Sequence, residues 1–182
     1  MSSSAPVTND DKVQLLWDKQ EIHEALMRYC IGIDRCDLDL VLSAFHEDAL
    51  DNHSGVEERA VDRFTRTINA RSMWVNHNIG NVLIQVQGPT AGSQSYFTAW
   101  HRFTHEDRPF DWVIAGRYID RFQRRECGWR IAHRTVVYDC ERFDPVSLER
   151  PTGHPSSTFF EAVVRGQRSR ADYSYEVMAF SV

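Results

Sequence analysis

Apolar residues recur at helical spacing through the first part of the chain. Ile22, Leu26, Tyr29 and Ile33 share one face of a stretch running from Val13 to Ile33, which predicts one long amphipathic helix. A second helix is expected next, with Asp37 as its N-cap and Leu38, Val41, Leu42 and Phe45 on one face. Ala60, Val61, Phe64 and Ile68 suggest a third. Beyond Trp74 the pattern changes. The runs Val82 to Val86, Ser95 to Phe103, Trp112 to Phe122 and Trp129 to Tyr138 are rich in β-branched and aromatic residues, as strands are. Gly88-Pro89, the charged turn Glu106 to Pro109, and Glu126-Cys127-Gly128 divide these runs as hairpin breaks. Helices first and antiparallel strands second predict an α+β fold.

The 182 residues suit one domain with a sizeable core. Residues 1–12 read as a loose polar terminus and 13–142 as the folded body. Residues 143–182 read as an arm packing on that body or on a neighbouring subunit. That arm holds Pro145, Pro151 and Pro155, then an apolar patch at Phe159, Phe160, Val163 and Val164. A net charge of −5 argues against a nucleic-acid surface, which needs clustered positive charge. The arginines at 117, 121, 124, 125, 130 and 134 are interleaved with acids, as on solvated strand faces. No run is long and apolar enough for a membrane span, and the Ser-rich start lacks the apolar stretch of a secretory signal. Cys30, Cys36, Cys127 and Cys140 form no C-x-x-C pair, consistent with reduced thiols in a cytoplasmic protein. With no phosphate-binding glycine loop and no nucleophile elbow, the expectation is acid–base work without a cofactor, or simple binding.

Asp34 lies at the edge of the first helix's apolar arc. A half-buried acid there meets desolvation and the negative end of the helix dipole, which suits proton transfer. Alternatively it caps the turn Arg35-Cys36-Asp37 with its own side chain. His77 is placed where a strand begins, just before Val82-Leu83-Ile84, and would either reach a pocket or serve structure. His46-Glu47-Asp48 and Asp51-Asn52-His53 are read as a turn between helix and strand. Their spacing carries no zinc or calcium signature, so no metal is expected, and His53 or Asp51 is placed near a pocket mouth.

The run Arg28-Tyr29-Cys30-Ile31-Gly32-Ile33-Asp34-Arg35-Cys36-Asp37, followed by Phe45-His46-Glu47-Asp48-Ala49, resembles the opening of SnoaL-like proteins of the nuclear transport factor 2-like superfamily. Asn76-His77-Asn78-Ile79-Gly80-Asn81-Val82, Gly116 to Phe122 and Gly128 to Arg134 extend the resemblance over roughly residues 13 to 142. It implies a cone-shaped α+β barrel, with N-terminal helices packed on a curved antiparallel sheet around one apolar pocket. Within the family the chain is similar to cofactor-free lyases: scytalone dehydratase, bile-acid 7α-dehydratase, γ-hexachlorocyclohexane dehydrochlorinase and diarylpropane lyases. By that resemblance Asp34 and His77 are the catalytic pair, Tyr29 a proton donor or carbonyl holder, and Arg134 a stabiliser of developing negative charge. His133 takes the place of Arg134 if the strand is shifted by one residue. His101 is the nearest counterpart of a second histidine.

The implied reaction is β-elimination of water or halide, or retro-aldol cleavage releasing formaldehyde. Its substrate would be a small hydrophobic cyclic or aromatic molecule, held among Leu26, Phe45, Trp74, Tyr96, Trp100 and Trp112. A homodimer or homotrimer suits the family. Rival readings are a SnoaL-type cyclase or steroid-type isomerase using Asp34 as base, a non-catalytic binding or interaction module, and an epoxide hydrolase. The last requires a second buried carboxylate, which the sequence does not place.

Overall fold

The computed structural model describes residues 8–53, 55–68, 74–146, 164–178 and 180. Helix α1 spans Asn9–Arg35 and starts on a capping box, in which Thr8 and Asp11 satisfy each other's backbone N–H groups. It ends at Cys36, whose left-handed backbone (φ 54°) turns the chain. Asp37 then caps α2 (Leu38–Ser43) by accepting from the Leu40 N–H, as expected. The two helices cross closely at Gly32, where a Cβ would lie 2.6 Å from Val41 Cγ2 and 2.7 Å from its backbone N. That crossing sets the position of the last turn of α1, and hence of Asp34.

Strand β1 (Phe45–His53) follows, then β2 (Val56–Arg59) and α3 (Ala60–Thr67). The chain continues as a meander of four long strands: β3 (Trp74–Gln87), β4 (Thr90–His105), β5 (Arg108–Arg125) and β6 (Gly128–Pro145). A short helix, α4 (Ser174–Val177), lies near the end. The expected hairpin breaks all separate strands. The turn at Glu106 and Asp107 takes positive φ at both residues, as a tight two-residue hairpin requires. Two expectations are corrected. Phe45 is not on α2 but opens β1, and the segment from His46 to His53, read as a turn, is strand. The sheet is also mixed rather than antiparallel: its order is β2-β1-β6-β5-β4-β3, and β1 runs parallel to β6.

The concave face of the sheet wraps around α1. Ile22, Ala25, Leu26, Tyr29, Cys30 and Asp34 form its buried stripe. The N-terminal half of the helix is fixed through Asp18, which accepts from Trp129 Nε1 at 2.9 Å and pairs with Arg124. Gly116 on β5 has no room for a side chain: a Cβ would fall 2.2 Å from the Val137 carbonyl oxygen and 3.1 Å from the Phe97 ring. Gly116→Ala is expected to lower stability by about 1–3 kcal/mol through overpacking. Urea unfolding measures it, and an unshifted midpoint would mean the neighbouring strand yields freely.

The described C-terminal residues pack on the end of α1. Arg170 pairs with Asp37 and Asp39, the Tyr175 hydroxyl donates to Asp37, and Arg35 faces Asp172. Of the apolar patch expected in this arm, Phe159, Phe160 and Val163 lie outside the described residues, and Val164 is exposed. Among the described residues no helix is long and apolar enough to cross a membrane.

Candidate functional site

Between α1, α3 and the concave sheet face lies a cavity of about 230 Å³. Asp34, four residues beyond Cys30 on the buried stripe of α1, is 6% exposed and turned toward β3. Its Oδ2 accepts from the His77 backbone N–H at 3.0 Å and its Oδ1 lies 2.7 Å from His77 Nδ1. An ionised carboxylate only accepts, so Nδ1 carries a proton, and in the neutral imidazole Nε2 then keeps its lone pair. The capping alternative for Asp34 does not hold, because the Cys36 and Asp37 N–H groups of that turn donate to the Ile33 and Gly32 carbonyls instead. The His77 ring lines the cavity, and its side chain is only 6% exposed.

Tyr29 lines the same cavity, its ring centroid 6.2 Å from that of His77. Burial pushes its phenol well above the ordinary range, and its hydroxyl shares a hydrogen bond with Tyr118. His101 completes this wall, 5.7 Å from His77 between ring centroids and 5.5 Å from Trp112. Burial first, then the proximity of His77, pulls its imidazole down to about 4, so it stands neutral at physiological pH. The ordinary value is 6.5, so the unfolded chain takes up this proton at higher pH than the folded one. Stability is then lost as pH falls from 6.5 toward 4, on the order of 2–3 kcal/mol. His101→Gln should remove that component. Urea unfolding at pH 7 and pH 4.5 tests this, and parallel losses in both proteins would assign the effect elsewhere.

Several residues expected at the pocket stand elsewhere. Side chains alternate along β4, so Phe97, Ala99 and His101 face inward, whereas Tyr96 and Trp100 are 44% and 38% exposed on the outer face. Trp74 is stacked edge-on against Trp100 on that face, at 5.0 Å. Phe45 and Leu26 are buried in the core and do not line the cavity, whereas Trp112 does. Arg134 points inward but does not reach the cavity. It is fully buried, forms a two-pronged ion pair with Asp120 at 2.7 Å, and lies 4.2 Å from the Tyr29 ring centre and 4.1 Å from that of Tyr118. His133 turns outward to Glu57 at 2.8 Å. A β-bulge decides between them. Phe122 pairs with Ile131 and Arg121 with His133, which leaves Ala132 unpaired and reverses the alternation, so Ile131 and Arg134 share the inner face.

His53 lines the cavity from β1 and is hydrogen-bonded through Nδ1 to Asp51, which is completely buried. Arg63 of α3 sets its Nε 2.9 Å from the same Asp51 oxygen and its Nη2 2.8 Å from Glu58. Arg63 and Arg168, both lining the cavity, were not anticipated. Neither carries a local signal: one is a surface-type residue of α3 and the other belongs to the tail. Of the rest of the expected cluster, His46 is on the Gln123 carbonyl and Asp48 on Arg125. Among the described residues no three His, Cys, Asp or Glu side chains converge as metal ligands.

Residues 14–135 match the SnoaL-like domain. The chain belongs to that family. Its SnoaL-like fold is that of the nuclear transport factor 2-like superfamily, and solved structures share it. A protein of Novosphingobium aromaticivorans provisionally named a scytalone dehydratase superposes with a TM-score of 0.65 at 21% identity, covering 79% of this chain and 98% of that one. The type 2 hexachlorocyclohexane dehydrochlorinase LinA gives 0.65 at 15% identity, over 79% and 99%. A nuclear transport factor 2-like protein of Salmonella enterica gives 0.61 at 19% identity, over 77% and 99%. At these identities the likeness carries the SnoaL-like fold alone. No curated protein matches the chain by sequence.

Proposed function

We propose that the cavity is the active site of a lyase that works with its own side chains on a small hydrophobic, ring-bearing molecule. The observation that carries this reading is Asp34, whose two oxygens both hold His77. That grip presents the free Nε2 of His77 as a base and stabilises the imidazolium formed when it takes a proton. Tyr29 stands beside it to hold a substrate oxygen. Arg134 acts one layer back, seating the Tyr29 ring rather than touching substrate. The names of two fold neighbours, a dehydratase and a dehydrochlorinase, agree with this chemistry. A cavity of about 230 Å³ is smaller than the roughly 300–1,000 Å³ of sites for drug-sized ligands, which favours a one-ring substrate.

The test is incubation with 3-hydroxy-1-phenylpropan-1-one, without added cofactor, read by mass spectrometry. Loss of water gives phenyl vinyl ketone, and C–C cleavage gives acetophenone and formaldehyde. Either product, above the uncatalysed rate, supports the lyase reading. Turnover without mass change would point to an isomerase, and an unchanged ketone would count against a lyase of this substrate class.

A further inference from the structure

The same cavity contains a second histidine backed by a buried aspartate. The geometry points to His53, held by Asp51, as the general acid that protonates the departing oxygen, which makes the substrate an alcohol that loses water. This inference rests on the lyase reading and assigns its second proton.

Dehydration next to a carbonyl needs two proton transfers. A base removes the α-hydrogen, and an acid supplies a proton to the hydroxyl as the C–O bond breaks, since hydroxide is a poor leaving group. His77 is committed to the first task by Asp34. Tyr29 is poorly suited to the second, because burial raises its phenol and its hydroxyl is shared with Tyr118. His53 fits it. Its Nδ1 is on Asp51, so its other nitrogen remains for the cavity that the ring lines. Asp51 is completely buried, and its Oδ2 has no hydrogen-bond partner among the described residues, so its charge is directed at His53 and Arg63.

Position separates the two roles further. The His53 side chain is 19% exposed against 6% for His77, which puts the acid at the mouth and the base in the depth. Water is released on the solvent side. In the balanced step the α C–H electrons form the alkene, its proton goes to His77, and the C–O electron pair takes a proton from the His53 imidazolium. Solvent then carries the proton of His77 back to His53.

The experiment compares 3-hydroxy-1-phenylpropan-1-one with 3-chloro-1-phenylpropan-1-one, whose chloride leaves without a proton. Initial rates are read over the uncatalysed reaction for the unmodified protein, His53→Gln and Tyr29→Phe, with circular dichroism confirming folding. His53→Gln should lower turnover of the hydroxy ketone about 100-fold, the lower end of general-acid effects. Turnover of the chloro ketone should fall less than tenfold. Equal losses on both ketones, no loss, or a selective loss in Tyr29→Phe instead would overturn the assignment while the lyase reading stands. So would formaldehyde release, or turnover of the chloro ketone alone. An unmodified protein inert toward both ketones would overturn the lyase reading and this inference with it.

Discussion

Arg134→Met is expected to destabilise the protein by about 3–5 kcal/mol, the usual cost of removing one partner of a buried ion pair. Arg134 is 0% and Asp120 1% exposed, and they are direct cross-strand partners on the inner faces of β6 and β5. Burial opposes charge on the guanidinium, and Asp120 more than offsets it, so the cation is held charged. Without Arg134 the Asp120 carboxylate is left desolvated, and most of the loss comes from that stranded charge rather than from the pair's net attraction. The double variant Arg134→Met/Asp120→Leu should therefore recover much of the loss. Urea unfolding of both variants measures this. A single variant as stable as the parent would mean that water reaches Asp120. The same substitution removes the cation lying against the rings of Tyr29 and Tyr118, so the architecture beneath the site depends on it.

Asp34→Asn should cut kcat for the hydroxy ketone by about 10²–10⁴-fold, the range of acid–base contributions, while the fold persists. A carboxamide fits the same space, but its NH₂ can donate to Nδ1. That favours the tautomer with the proton on Nε2, and the base is lost from the cavity. His77→Gln should lose a comparable amount, and the double variant little more than either, because the two residues act as one unit. Full turnover by a correctly folded Asp34→Asn protein would remove the dyad from the mechanism.

Helical periodicity and hairpin chemistry made much of the fold legible, since α1, the Asp37 cap and the four meander strands depend on local preferences. The helix period placed Asp34 only at the edge of the apolar arc, with capping as its alternative, and the resemblance paired it with His77. Strand β1 was hidden because its inward positions include Asp51 and His53, polar residues that read as part of a turn until Arg63 and the cavity account for them. The pocket list went wrong by parity. Trp100 and His101 are adjacent, so one strand cannot turn both inward, and the alternation around Phe97 and Ala99 was a signal that settles which. The choice between Arg134 and His133 depended on the bulge at Ala132, which no composition or period announces. Arg168 reaches the cavity only because the tail folds back, a relation set by tertiary packing.

The junction of β1 with β6 bears on how the chain assembles. Strands β3 to β6 are joined by tight turns and can zip in sequence, each pairing helped by the last. Strand β1 must wait, because its partner lies at the far end of that meander, around Ile131 to Thr135. Closing so long a loop is entropically slow. The wall bearing His53 and Asp51 is therefore expected to dock late, and a chain halted before that step would hold an open trough where the finished protein has a chamber.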